Sequence, residues 1–350
     1  MKLHIFNPEH DLALAANQLV FTAPHAGRML RSDLGYIPAL WAEEGDLVLV
    51  DDIDNAYDKV RHIVGMDNIN KVEFVTRLQL QKIFKDSTFI DSVHPWGWNL
   101  SLKHELLRMG CPEIMLPTDE GLDKLRSISS RQWAACHLQK DVVYVSNRDS
   151  LRQAILHHEK SVVKAPWSSS GRGIRYVTRD LDAGDAFWRW ADNILEKQGG
   201  LTVEPYYNKV KDFGMEFVMK DGKAEYCGLS LFHTNKSAYT GNLLACEEAK
   251  MEMLGKYVSQ DVLHDIRTHV AAKMSDTLKN VYNGPFGVDM MVCATKPGGD
   301  DLFVNSCVEL NLRRTMGHVA LSLTNDDDDP SRMMQVAYMN GRYHLNIRKI

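Results

Sequence analysis

Hydrophobic and polar positions alternate in blocks over the first hundred residues. Short apolar runs, each closed by charged, polar or proline residues, predict buried strands at 3–6, 47–50, 72–75 and 88–90. Helical spacing of apolar positions predicts helices at 25–31 and 78–84 between them. Strands that alternate with helices in this way are typical of a small parallel α/β domain.

The pattern turns helical after residue 100. Apolar positions at helical spacing predict helix at 100–109 and again over 118–138, where Thr118 is a plausible N-cap followed by two acidic residues. Apolar runs then predict strands at 142–145, 161–165, 174–177 and 201–203.

Two hairpins and one long helix follow. Asp221-Gly222 is a strong two-residue turn signal, and it joins predicted strands at 213–219 and 225–231. A second turn at 296–300 joins strands at 286–294 and 302–310, and a helix is predicted at 258–281. The acidic run at 326–329 predicts a solvated loop. The second half is therefore antiparallel strands plus helices, so the fold class is α/β followed by α+β, with expected divisions at 1–125, 126–200 and 201–350.

Composition narrows the class of protein. The 350 residues are 44% hydrophobic and 25% charged, with a net charge of −5, which suits an enzyme of more than one domain. A nucleic-acid binder would carry a basic surplus, so we expect no nucleic-acid partner. No signal sequence and no apolar run of the ~18–20 residues that cross a membrane is present, and the six cysteines form no CxxC pair. These features predict a cytoplasmic protein that does not enter a membrane.

The segment at 161–174 has the residue types of a phosphate-binding loop. An apolar run ends in Lys164, and a small, polar, glycine-bearing loop with Arg172 leads into the next predicted strand. Small residues let successive backbone N–H groups turn toward one anion, and lysine and arginine add positive charge. The alternative is an ordinary surface hairpin loop. Neither the Walker A pattern nor the dinucleotide GxGxxG pattern occurs.

The segment at 308–313 places three polar side chains on one strand face. Glu309, Asn311 and Arg313 share that face because strand side chains alternate, with two leucines packing behind. The second hairpin brings Asp289 opposite residue 308 or 309 if no bulge intervenes. Two carboxylates and an amide oxygen suit Mg²⁺, which takes oxygen ligands. The alternative is an exposed strand that carries a charge pair.

Five motifs in this order resemble the ATP-grasp superfamily. They are the lysine-tipped strand with its Ser/Gly loop, Val203-Glu204-Pro205-Tyr206-Tyr207, Gly214-Met215-Glu216-Phe217-Val218, Gly287-Val288-Asp289 and Glu309-Leu310-Asn311-Leu312-Arg313. Each motif alone is weak, but their order is fairly specific. The resemblance covers about residues 126–325, and the preceding segment resembles the α/β domain that usually comes before an ATP-grasp module of two α+β subdomains.

The resemblance implies a role for each matching residue. Lys164 would contact the α-phosphate and adenine, and Glu204 would accept from the adenine amino group. The residues that would fold over the β- and γ-phosphates are Ser168, Ser169, Ser170, Gly171, Arg172 and Gly173. The backbone at Tyr206 and Tyr207 would form the hinge between subdomains. Arg131 sits where many members have a basic residue.

The same resemblance implies the metal set and the ribose contact. Asp289, Glu309 and Asn311 would hold Mg²⁺, or Mn²⁺ in its place, and Arg313 would face the transferred phosphoryl group. Lys164 and Arg313 are thus the expected catalytic residues. The link at 208–213 is longer than usual, so Asp212 and Glu216 compete for the ribose contact. Three serines replace glycines common in the loop, which puts its mobility in question.

An ATP-dependent ligase is the function that the resemblance favours. It would activate a small-molecule carboxylate as an acyl phosphate for attack by an amine. A phosphotransferase on the same fold and a catalytically lapsed nucleotide-binding module are the alternatives. A homo-oligomer is compatible with all three functions. His10 and Asp11 follow the first strand, where open α/β sheets bind ligands, so one of them is a candidate for facing the acceptor substrate. The alternative is that these residues cap the next helix. His233 and His318 are weaker candidates for contacting the acyl substrate.

Overall fold

The computed structural model describes residues 1–63, 72–86, 89–168, 173–180, 184–235, 238–324 and 332–349. Four predicted loop residues, Ser169, Ser170, Gly171 and Arg172, and the acidic run at 326–329 lie outside the described residues. In the part that is described, no helix is long and apolar enough to cross a membrane.

The N-terminal segment folds as a parallel sheet with helices on its faces, which confirms the predicted α/β class. The sheet has the order β3-β2-β1-β4. Its strands are β1 (Lys2–Ile5), β2 (Leu47–Leu49), β3 (Glu73–Val75) and β4 (Ser92–Pro95). Its helices are α1 (His10–Ala16), α2 (His25–Asp33), α3 (Ile53–Arg61), α4 (Arg77–Asp86) and α5 (Leu100–Arg108), with a 3-10 turn at Ile37–Leu40. Leucine and isoleucine side chains of β1 and β2 pack under α4 and α5 in one core.

One predicted strand was wrong. Phe89 and Ile90 belong to no strand, and the fourth strand runs instead over Ser92–Pro95, pairing Lys2 with Ser92 and Ile5 with Pro95. Proline supplies no N–H to a sheet, which argues against placing it inside a strand. Pro95 is tolerated because β4 is an edge strand of the sheet.

The helical stretch predicted at 118–138 is two helices, α6 (Asp119–Ile128) and α7 (Arg131–His137). Thr118 caps α6 as predicted, its side chain accepting from Gly121 N. The break comes at Ser130, whose hydroxyl accepts from Trp133 N and so begins a new helix. A 3-10 turn at Glu113–Met115 precedes α6.

A second, antiparallel sheet follows, with the order β5-β8-β6-β7. Its strands are β5 (Val143–Val145), β6 (Lys160–Lys164), β7 (Ile174–Thr178) and β8 (Leu201–Pro205). Helices α8 (Arg148–Leu156) and α9 (Gly184–Gln198) pack on it around a core that includes Ile155, Val163 and Val203.

The third sheet is antiparallel and carries both predicted hairpins. Its order is β10-β9-β13-β14, and its strands are β9 (Asn208–Lys220), β10 (Lys223–Ser230), β13 (Gly284–Ala294) and β14 (Leu302–Asn311). Asp221 and Gly222 both have positive φ, at 50° and 76°, as the predicted two-residue turn requires. Helices α10 (Glu247–Gly255) and α11 (Gln260–Leu278) cover its apolar face, and α11 confirms the predicted long helix.

A fourth sheet was not predicted. It has the order β11-β12-β15-β16 and consists of β11 (Phe232–Asn235), β12 (Ala238–Leu244), β15 (Arg332–Met339) and β16 (Arg342–Lys349). A short helix, α12 (Met316–Ser322), connects β14 to this region. The expected divisions near residues 125 and 200 stay predictions.

Candidate active site

The predicted metal residues lie on one face of the third sheet. Asp289 on β13 is paired with Glu309 on β14 and with Gly214 on β9, and the next row pairs Gly287 with Asn311 and Glu216. Directly paired residues point to the same face, and alternate residues along a strand do so too. The oxygen-bearing side chains of Glu216, Asp289, Glu309 and Asn311 therefore share one face, which we call the acid face. The opposite face is core, and it includes the two predicted leucines, Leu310 and Leu312.

The pairing of Asp289 with Glu309 was predicted, but it depends on an irregularity. Next to the turn Ala294 pairs with Leu302, and this register continues to Met291 opposite Asn305. The register then shifts before Asp289. The extra residues lie on β14, between Asn305 and Glu309, and they bring Glu309 level with Asp289. A bulge beside a site commonly re-aims a side chain in this way.

Acidic side chains are crowded together on the acid face. Asn311 Nδ2 donates to Asp289 Oδ2 at 3.2 Å. Burial, together with the charges of Glu309 and Glu216, raises the pKa of Asp289 to about 8. Among the described residues no three His, Cys, Asp or Glu side chains form a metal cage. Two carboxylates and an amide nevertheless fit Mg²⁺, which keeps phosphate and water among its ligands.

Arg131 connects the acid face to the predicted phosphate loop. Its Nη2 donates to Glu309 Oε1 at 2.6 Å, and its Nη1 donates to the Ala165 carbonyl at 2.7 Å and to Ser168 Oγ at 2.8 Å. The side chain is only 6% exposed, and its Nε has no hydrogen-bond partner. One guanidinium thus holds both the root of the loop and a predicted metal ligand.

Lys164 and Glu204 form a buried ion pair. Lys164 Nζ lies 2.5 Å from Glu204 Oε1, and each side chain is 5% exposed. They sit on the neighbouring strands β6 and β8, so the two residues expected to contact the nucleotide's α-phosphate and adenine are adjacent. A nucleotide at this point would meet a matched cation and anion.

The root of the loop is held firmly on both sides. Gly173 accepts from Ala165 N at 2.9 Å, and a side chain at Gly173 would overlap Ser168. The guanidinium of Arg126 stacks on the ring of Trp167, 3.9 Å from its centroid. Arg126 Nε also donates to the carbonyl of Leu14 on α1. Arg126 therefore connects Trp167, at the start of the loop, to helix α1.

The predicted hinge residues form a two-residue link between the second and third sheets. Strand β8 ends at Pro205 and β9 begins at Asn208, so Tyr206 and Tyr207 lie between them. Tyr206 is 43% exposed, and the ammonium of Lys160 lies 3.7 Å from its ring centroid. Burial raises the pKa of Tyr207 to about 12.

The two candidates for the ribose contact have different surroundings. Asp212 lies toward the hinge end of β9, where its Oδ2 accepts from Lys209 Nζ at 2.6 Å and from Thr234 Oγ1 at 2.7 Å. Glu216 is 2% exposed, and its Oε2 accepts from Thr315 Oγ1 at 2.8 Å. Asp212 is thus the more accessible of the two.

Arg313 points to the N-terminal sheet and pairs with Asp11. Its Nε lies 3.0 and 3.1 Å from the two carboxylate oxygens, and its Nη2 lies 2.8 Å from Oδ2. Burial opposes ionisation of Asp11, but the Arg313 charge holds the pKa of Asp11 below its usual value. The structure thus brings together a predicted catalytic residue and a predicted substrate-facing one.

His10 lies beside this pair, at the carboxyl ends of β1 and β4. It is 1% exposed, and burial lowers its pKa to about 4. A side chain at Gly97 would overlap its ring, and Asn99 Nδ2 lies 3.4 Å from its Nδ1. In the order β3-β2-β1-β4, the chain places β2 and β3 on one side of β1 and β4 on the other. Open α/β sheets bind ligands in the crevice at such a reversal of strand order.

The two weaker histidine candidates separate. His233 is exposed on β11. His318 is buried in α12, with its Nδ1 3.0 Å from Glu216 Oε2 and its Nε2 3.0 Å from the Phe217 carbonyl. Both nitrogens of His318 are therefore occupied within the protein.

Sequence reasoning missed the surroundings of Glu216. Side chains at Gly287 and Gly317 would overlap its carboxylate, and Thr315 both caps α12 and donates to it. Glycine inside a strand pattern signals close approach by another group, and Thr followed three residues later by a polar residue signals a helix start. These signals were present at Gly287 and Thr315, but neither indicates which side chain arrives.

Comparison with known proteins identifies the fold. No protein-family model matches the sequence, and no curated protein matches it. Among solved structures, a protein from Archaeoglobus fulgidus described as an ATP-grasp superfamily member is 12% identical, with a TM-score of 0.51 over 100% of this chain and 99% of the other.

Two enzyme structures with bound nucleotide are also similar. The biotin carboxylase domain of Hydrogenobacter thermophilus 2-oxoglutarate carboxylase, in complex with MgADP, ADP and bicarbonate, is 12% identical (TM-score 0.51; 96% of this chain, 74% of the other). Staphylococcus aureus N5-carboxyaminoimidazole synthetase with ADP is also 12% identical (TM-score 0.50; 96% and 82%). The chain therefore has an ATP-grasp fold, as its motifs predicted.

Proposed function

We propose that this ATP-grasp chain is an ATP-dependent ligase that activates a small-molecule carboxylate as an acyl phosphate for attack by an amine. The observation that carries the proposal is the acid face, which Arg313 follows on the same strand segment. Arg131 connects this face to Ala165 and Ser168 at the start of the predicted phosphate loop. Lys164 and Glu204 add a matched charge pair for the nucleotide. The ADP complexes of the two similar enzymes support a nucleotide here.

One group of residues binds the nucleotide, and another would bind the metal ion. Lys164 and the loop from Ser168 to Gly173 bind the phosphates, Glu204 and the backbone at Tyr206 bind adenine, and Asp212 binds the ribose. Asp289, Glu309 and Asn311 would hold Mg²⁺, with Mn²⁺ as a substitute. When bound, the ion neutralises charge on the transferred phosphoryl group.

The acceptor crevice lies between His10, Asp11 and Arg313. A carboxylate oxygen of the substrate attacks the γ-phosphorus of ATP, the bond to the β-phosphate oxygen breaks, and ADP leaves. The amine nitrogen then attacks the acyl carbon, phosphate leaves with the bonding electrons, and the nitrogen loses a proton. Arg313 orients the anions in both steps, since positioning and charge stabilisation carry phosphoryl transfer.

The deciding experiment is ATP turnover screened against pools of carboxylates, with and without amines, in the presence of hydroxylamine. An acyl hydroxamate supports the ligase. ADP with a stable phosphorylated product and no hydroxamate would identify a phosphotransferase, and nucleotide binding with no turnover in any pool would identify a lapsed module.

A further inference from the structure

Arg131 is placed where the loop and the acid face meet. It is the first residue of α7, and its backbone N–H donates to the Pro166 carbonyl at 3.0 Å. Its side chain reaches Ala165 and Ser168 on one side and Glu309 on the other. The guanidinium of Arg131 is thus held by Ala165 and Ser168 on one side and by Glu309 on the other. A shift of Ser168 or of Glu309 would change the contacts of Arg131.

The contact with Glu309 sets up a competition. Glu309 is 30% exposed, so its carboxylate is open to the cleft while Arg131 binds one of its oxygens at 2.6 Å. Charge-assisted hydrogen bonds of this length are strong. A divalent cation ligated by Glu309 repels the guanidinium beside it and draws on the same negative charge.

Arg131 also has a donor to spare. Its Nε is buried and has no hydrogen-bond partner, which is unusual for a buried polar atom. An anion bound beside Ser168, such as a nucleotide phosphate, would give the guanidinium a partner for this donor. Turning toward that anion would release Glu309.

We infer that Arg131 couples nucleotide binding to metal binding, by competing with the metal for Glu309 and releasing it to the metal when a phosphate engages the guanidinium. This inference rests on the proposed function, because it takes the acid face as the metal site. It makes Arg131 a positioning residue whose effect reaches the metal through Glu309. Coupling of this kind is reciprocal, so the metal favours the nucleotide as much as the nucleotide favours the metal.

The test measures the Mn²⁺ dissociation constant of the protein by titration calorimetry, with and without a non-hydrolysable ATP analogue, and the heat of Mn²⁺ binding to the analogue alone is subtracted. In the wild-type protein the analogue should strengthen Mn²⁺ binding. Arg131→Met should bind Mn²⁺ without the analogue at least about tenfold more tightly than wild type, at the low end of what a hydrogen bond to a charged group contributes. The strengthening by the analogue should shrink correspondingly.

Two further variants and a control make the result specific. Arg131→Lys keeps the charge but not the several donors of the guanidinium, so its Mn²⁺ affinity without the analogue should lie between those of wild type and Arg131→Met. Arg131→Gln removes the charge and serves if the methionine variant does not fold. Arg126→Met is the matched control, because Arg126 packs on the same loop root through Trp167 but has no contact with Glu309. Its Mn²⁺ affinity should not change.

The outcomes separate this inference from the proposed function. If the wild-type protein binds Mn²⁺ with the analogue, but Arg131→Met and Arg131→Gln bind it no more tightly than wild type without the analogue, the coupling role is wrong and the metal site stands. If neither wild type nor any variant binds Mn²⁺ even with the analogue, the metal site and the proposed function both fall.

Discussion

Asp11 and Arg313 lie 302 residues apart in the sequence and meet in a bidentate ion pair. The pair joins the helix after β1 to the residues that follow β14, so it connects the N-terminal segment directly to the strand that carries Glu309 and Asn311. Each side chain is 18% exposed, which keeps the pair largely out of water.

Asp11→Asn should destabilise the protein. The substitution leaves the Arg313 guanidinium buried without its counter-charge, and breaking a buried pair costs about 3 kcal/mol of unfolding free energy. Urea unfolding monitored by tryptophan fluorescence measures it. Asp58→Asn is the control, because Asp58 and its partner Arg61 are about 70% exposed; it should change stability by less than about 0.5 kcal/mol. Equal stability of the two variants would contradict the prediction.

ATP with Mg²⁺ should raise the melting temperature, and NAD should not. The site offers a lysine-tipped strand and small-residue loop but no dinucleotide fingerprint. Ligand at a hundred times its dissociation constant stabilises by about 2.7 kcal/mol. Thermal denaturation with each ligand is the measurement. An equal shift with NAD, or none with ATP, would rule out the nucleotide assignment.

Glu309→Gln should reduce Mg²⁺-dependent turnover by at least ~10²-fold, because one main electrostatic contributor to the transition state is lost. The variant should still fold, because its amide oxygen can accept the hydrogen bond from Arg131 and because Glu309, at 30% exposed, forms a less buried pair than Asp11 does. Leu310→Gln is the control, because Leu310 is next to Glu309 in the chain but its side chain points into the core and is 5% exposed. It should lower stability through a buried, unpaired amide. Turnover and melting temperature are measured for both. Wild-type turnover in Glu309→Gln, or unfolding as severe as in Leu310→Gln, would refute the metal assignment.

Lys164→Met should raise the KM for ATP and destabilise the protein, since it leaves Glu204 buried without its partner. Adding Glu204→Gln should recover part of the lost stability, because the unpaired charge is removed, but should not recover the KM. Unfolding free energies of the single and double variants form a double-mutant cycle. Strictly additive losses would show that the two residues are not coupled.

Acid should destabilise the protein partly through His10. Burial holds its pKa near 4, below the unfolded value of about 6.5, so the unfolded chain binds a proton first as pH falls. This contribution is fully present above pH 6.5 and is lost down to about pH 4, with a total of about 3 kcal/mol. Urea unfolding across pH 4–7 should show a shallower decline for His10→Gln than for wild type. Parallel curves would exclude this role for His10.

The third sheet was the part of the fold most open to prediction. Asp221-Gly222 fixes a turn by its backbone preference alone, and the period-two pattern around Glu309 puts charge on one face and Leu310 on the other. Both signals are local. The pairing of Asp289 with Glu309 came out as expected only because the strand irregularity on β14 compensated for the register at the turn.

The fourth sheet and the ion pairs lay beyond local signals. Strands β12 and β15 are paired across roughly ninety residues of intervening chain, and no turn residue marks that pairing. Asp11 stood out as a residue after the first strand, but only the packing of the N-terminal sheet on the end of β14 selects Arg313 as its partner. The spacing of residue types along the chain does not predict contacts between residues that are far apart in sequence.

Strand β9 leads from the link at Tyr206 and Tyr207 to Glu216 on the acid face. Its 13 residues begin directly after Tyr206 and Tyr207 and are hydrogen-bonded to strands on both sides, so a change of backbone angle at the two tyrosines would turn β9 together with its sheet. At about 3.3 Å per residue it is ~40 Å long. A rotation of about 10° at the two tyrosines would carry its far end ~7 Å. A small bend at this link is therefore enough to open or close a cleft of nucleotide size.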